Sequence, residues 1–103
     1  DKFGASDVDK TRTTGAAMFQ GITGLDVATQ NLKGEATPAT IIAATKAMPW
    51  SVLPASGGIH IRCNGKANPA TPATCTNAAL SATLNGQGKA ASYTVVGDAQ
   101  IPA

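Results

Sequence analysis

The sequence is poor in aromatic residues: Phe3, Phe19, Trp50 and Tyr93 are the whole set. A core must therefore come from small aliphatic side chains, and the one tryptophan is expected to plug it between helix and sheet. Charge is equally scarce, at 14% of residues against about a quarter in ordinary domains. Eight Lys and Arg against six Asp and Glu leave a net charge of +2. No window gathers the cations, and none interleaves them with aromatics. That removes the electrostatic footprint of a nucleic-acid binder. No apolar run reaches the roughly 18 residues of a membrane-spanning helix. A mean hydropathy of +0.00 argues against both a membrane protein and a highly charged disordered one.

Catalytic motifs are missing too. There is no Gly-x-Ser-x-Gly elbow, no His-Glu-x-x-His and no phosphate-cradling glycine loop. His60 is the sole histidine, flanked by Ile59 and Ile61 in a strand-like alternation, with no acid close in sequence to orient it. Asp26, Glu35 and Asp98 are too dispersed to suggest a carboxylate pair. Asp1, Asp7 and Asp9 lack the spacing of a calcium loop. The expectation is a protein without catalysis, cofactor or metal.

What is present is one stapled domain. The 103 residues suit a single domain, 1–103, able to bury roughly 60–70% of its unfolded surface. Residues 1–10 read as a flexible or docking segment. The chain opens on Asp1 rather than Met, so processing or trimming at the front is expected. Cys63 and Cys75 enclose a loop rich in Asn, Pro and Thr. Two cysteines allow one intramolecular pairing, and a loop of this size should stabilise by about 3 kcal/mol. A zinc reading with His60 has only three ligands where four are wanted. A redox reading lacks the Cys-x-x-Cys spacing. A structural disulfide, and with it an oxidising compartment, is expected.

The pattern predicts an α+β fold: one short helix, then an antiparallel meander with a single disulfide. Residues 11–32 carry Gly15, Gly21 and Gly24, each a cost of about 1 kcal/mol in a helix. Phe19 to Val27 also reads as alternating, so extended structure with glycine bends is expected there. A helix is expected over 38–48, with Thr37 as N-cap, Pro38 at the first position and Pro49 as stop. Ile41, Ala44, Thr45 and Met48 fall on one face of it. Strands are expected at 59–63, 78–84 and 90–96, the last two joined by Asn85-Gly86-Gln87-Gly88. Leu80, Leu84, Tyr93 and Val95 are expected to point inward. Residues 100–102 would close an edge.

The disulfide-bounded Asn/Pro/Thr-rich loop, the hairpin after it and the charge-poor Ala/Thr/Gly composition resemble the globular head of a type IV pilin or pilin-like subunit. The resemblance spans about the last half of the chain. It implies a subunit of an extracellular bacterial filament, with an apolar N-terminal helix in the fibre core and roles in adhesion, motility, DNA uptake or electron conduction. Two features depart from the family. The long N-terminal helix is missing, residues 1–34 being too glycine-rich for its lower part, and 28 residues follow Cys75. A split pilin, with helix and head on separate chains, accommodates the first.

On this reading the partners are other copies or an apolar helical pilin chain. Phe19 and Ile22 would form the docking face, and Asn64, Lys66 and Asn68 the exposed loop that meets a partner. The expected location is extracellular or the cell surface, with the periplasm second. The alternatives are a free secreted or periplasmic binding or inhibitor domain, and a virion decoration protein.

Overall fold

The computed structural model describes residues 13–103; the expectations for residues 1–10, including Asp1, Asp7 and Asp9, lie outside them. The fold is α+β. Helix α1 (Thr13–Thr29) and helix α2 (Pro38–Ala47) precede strands β1 (Ser51–Val52), β2 (His60–Ile61), β3 (Ala79–Leu84) and β4 (Ala90–Val96).

Helix α1 corrects the extended structure expected between residues 11 and 32. It runs 17 residues through all three glycines, with no acid in its first turn and no base in its last. Tertiary packing outweighs propensity here. A Cβ on Gly24 would sit 3.2 Å from Leu53 Cδ1 and 3.9 Å from Ile61 Cδ1, so the missing side chain lets the helix lie close to the core. Ala28, one turn on, is buried. Gln20, one turn back, donates from Nε2 to Ala55 O at 2.8 Å and ties the helix to the turn beyond β1. Gln20, Gly24 and Ala28 are thus the inward stripe, at the spacing of four that a helix stacks on one face. The apparent alternation from Phe19 to Val27 arises because apolar residues also populate the outward face. With small and polar residues inward and the large apolar ones outward, the usual contrast of an amphipathic helix is gone.

Helix α2 has the expected start and ends one residue early, at Ala47. Thr37 Oγ1 accepts from the Thr40 backbone N–H at 3.2 Å, and Thr40 Oγ1 accepts from the Thr37 N–H at 2.9 Å. Two threonines thus make the reciprocal cap more often made with Glu or Gln. Ile41, Ala44 and Thr45 are half-buried and Met48 is buried, so the anticipated face does point inward.

The expected meander is instead two separate two-stranded sheets. Strands β1 and β2 pair antiparallel, Ser51 with Ile61 and Val52 with His60. The first strand therefore covers 60–61 rather than 59–63. The turn between them centres on Ser56, which is buried, its hydroxyl 2.6 Å from Leu53 O and 3.2 Å from Ile59 O. Strands β3 and β4 form the anticipated hairpin, closed by Asn85 N–H to Lys89 O at 2.8 Å. Its side chains do not point into a core: Leu80, Leu84 and Tyr93 are exposed and only Val95 is half-buried. The hairpin stands off the body, which is why those inward positions fail.

The core is small. Ala28, Met48 and Ile61 form its centre, with Val27, Leu53 and the two cysteines packed around them. Trp50 is not its plug. It is half-buried and lies flat on His60, ring centroids 5.1 Å apart and planes 6° apart. Residues 100–102 form no edge strand, yet Ile101 is among the most completely enclosed of the described side chains, 2% exposed.

Candidate functional site

Three features of the surface are candidates for function: the disulfide loop, the outward face of α1, and a His-Asp-Trp cluster.

Cys63 and Cys75 are bonded, with their Cα atoms 4.3 Å apart. Backbone pairing supports the bridge: Arg62 N–H donates to Cys75 O at 2.8 Å. The loop's polar residues are engaged within the chain. Asn64 donates from Nδ2 to Pro102 O at 2.7 Å and accepts at Oδ1 from the Lys66 N–H. Lys66 donates from Nζ to Ala103 O. Asn68 Oδ1 accepts from Ala70 N–H at 3.0 Å, building an Asx turn. Asn64 is half-buried, while Lys66 and Asn68 are exposed.

These bonds belong to a longer clamp. From His60 to Lys66, every second residue holds a successive piece of the carboxyl-terminal segment. His60 takes Asp98, Arg62 Nη1 donates to Ile101 O at 3.2 Å, Asn64 takes Pro102 and Lys66 takes Ala103. The clamp is built from β2 and the bend that follows it at Asn64 and Gly65, where φ is +78°, rather than from one face of an extended strand. Arg62 Nε is buried without a partner among the described residues.

On α1, Phe19 and Ile22 face solvent at 55% and 62% exposure, with Met18 at 64% and Leu25 at 51%. Met18, Ile22 and Leu25 follow the i, i+4, i+7 spacing of one helix face, and Phe19 flanks them. Four exposed large apolar side chains on one helix make a patch, unlike a solitary surface leucine. Beside it runs an apolar groove of about 370 Å³, walled by Leu25 and Ala28 of α1, by Leu53 and Ile61, and floored by the disulfide. The structure therefore brings α1 and the cystine together. Asn64, Lys66 and Asn68 do not line this groove.

The third feature escaped sequence reasoning. His60 Nδ1 lies 2.7 Å from Asp98 Oδ2, and the His60 backbone N–H donates to Asp98 Oδ1 at 3.1 Å. The side-chain hydrogen bond, then the backbone one, lower the Asp98 carboxyl below its ordinary value of 3.8, with partial opposition from burial. An ionised carboxylate only accepts, so Nδ1 carries the proton and donates. Trp50 stacks on the ring. The arrangement fixes the orientation of the imidazole. Nothing in the local sequence signals it, since 38 residues separate the partners. Among the described residues, no group of three or more His, Cys, Asp or Glu is placed to hold a metal ion, and no helix is long and apolar enough to cross a membrane.

Comparison with protein-family models, curated proteins and solved structures gives no match to this chain.

Proposed function

We propose that this chain is a non-enzymatic structural subunit of an extracellular bacterial filament of pilus type, a stapled head whose α1 face meets other subunits. The observation that carries the reading is the row Met18, Phe19, Ile22 and Leu25, turned to solvent on a protein with little charge. Such a patch is costly on a free monomer and is expected of an assembly surface. The disulfide and the clamp of 60–66 on the carboxyl-terminal segment suit a head that must persist outside the cell, where thiols oxidise. A surface of Ala, Thr, Ser and Gly also loses little side-chain entropy when neighbours cover it.

The test is to shear surface appendages from cells that make the protein and probe the sedimented fibres with an antibody to this chain. The expected result is labelling along the fibres. Recovery of the chain only as a free monomer, with no companion and no fibre, would overturn the reading in favour of a secreted binding domain.

A further inference from the structure

The hairpin is amphipathic, and its apolar side is open. Register pairs Leu80 with Val95 and Ala82 with Tyr93 on one face, and Ser81 with Thr94 and Thr83 with Ser92 on the other. Leu84 continues the apolar row towards the tip. At the root, Leu80 leans on the turn at Gly57, where a Cβ would meet its Cδ2 at 3.3 Å. Further out none of the described residues covers the face: Leu84 is 62% exposed and Tyr93 65%. A two-stranded ribbon is marginal in water and needs a helix or further strands on its apolar side.

The same chain carries a helix with the matching deficiency. The 17 residues of α1 span about 25 Å, enough to cover strands of six and seven residues, each roughly 20 Å long. Charge discriminates between the possible pairings. Asp26, one turn beyond Ile22 on the outward face, is the only charged residue of α1, and Lys89, in the turn, is the only one between Ala79 and Val96. Helix against helix would bring together two faces that each carry an acid, and hairpin against hairpin two ribbons that each carry a base. Helix against hairpin pairs opposite charges.

We infer that the occupant of each face is a second copy of this chain, the outward face of α1 in one subunit docking on the Leu80–Leu84–Tyr93 face of the β3–β4 hairpin in the next. The contact is heterologous, so each subunit keeps one free helix and one free hairpin, and the chain of contacts propagates or closes into a ring. This rests on the filament reading and specifies its contact.

The test uses the full chain, Ile22→Asp and Tyr93→Asp in sedimentation velocity over a concentration series. Both positions are exposed, so circular dichroism is expected to show unchanged folds. The unmodified chain should self-associate, and each variant alone should do so about ten-fold or more weakly. An equimolar mixture should form a dimer and nothing larger, since only one intact helix face and one intact hairpin face can meet. Undiminished association of Tyr93→Asp, or no dimer in the mixture, overturns the helix-to-hairpin contact and leaves the filament reading standing. An unmodified chain that stays monomeric but labels native fibres also overturns the contact alone; one that is monomeric and absent from fibres overturns both.

Discussion

Asp98 grips His60 with both carboxylate oxygens, one on the ring nitrogen and one on the backbone N–H. The acid comes from the residues just after the hairpin and the histidine from β2, so the pair fixes where the carboxyl-terminal segment leaves β4. Trp50 closes the other side of the ring.

This pair sets a pH dependence. Asp98 is lowered in the folded chain from its ordinary value of 3.8, first by the His60 side-chain bond and then by the backbone bond. Its contribution is complete above that ordinary value and disappears as pH falls through the lower folded one. Thermal melts on an acid series should therefore show a decline in Tm that is shallower in Asp98→Asn, which keeps the shape but not the charge. Parallel curves for the two proteins would mean the carboxylate is not coupled to folding.

Reduction of Cys63–Cys75 should cost about 3 kcal/mol, the loop-closure value for a separation of this size. The effect should extend beyond the loop, because Asn64 and Lys66 inside it hold Pro102 and Ala103. Amide exchange with and without reductant is the measurement. Faster exchange at residues 98–103 is expected alongside the drop in Tm, and exchange confined to 64–74 would separate the clamp from the bridge.

The parts of the fold written in local chemistry were legible in the sequence. The Thr37-Pro38 start of α2, the Asn85–Gly88 turn and the cysteine pairing each depend on residues within a dozen positions of one another. What was not legible depends on distance. Gly24 weakens a helix by propensity, yet its value lies in the approach of Leu53 and Ile61, 29 and 37 residues away in the chain. The His60–Asp98 pair has the same character. The hairpin misled in the opposite way: its alternation is real, but alternation says which side is apolar and not whether anything lies against it. Of the residues expected to meet a partner, Phe19 and Ile22 share the exposed α1 face, whereas Asn64, Lys66 and Asn68 are bonded into their own loop and its neighbours.

Ile101→Ala should be among the costliest truncations outside the helices. The side chain is 2% exposed, and Ile→Ala in a closed site costs about 2–5 kcal/mol. Its segment has no strand partners and is held by side chains, so the loss should fall on the anchoring of the whole segment. Urea unfolding of Ile101→Ala should show a much lower midpoint. A midpoint within experimental error of the unmodified chain would mean the segment is not part of the cooperative unit.

The glycines of α1 separate propensity from packing. A Cβ at Gly15 or Gly21 would meet nothing within 4 Å, so Gly15→Ala and Gly21→Ala should each stabilise by about 0.5–1 kcal/mol through helix propensity alone. At Gly24 the new methyl would lie 3.2 Å from Leu53 Cδ1, so Gly24→Ala should gain less than Gly21→Ala, the core having to shift. Gly97→Ala should go the other way. Its φ is +71° and the added Cβ would stand 3.0 Å from Asn77 O, backbone that cannot turn aside, giving a loss of about 1 kcal/mol or more. Denaturant midpoints at unchanged slope rank the four. Equal gains at Gly21 and Gly24 would mean that α1 does not lie against Leu53, and the inward stripe Gln20-Gly24-Ala28 would have to be redrawn.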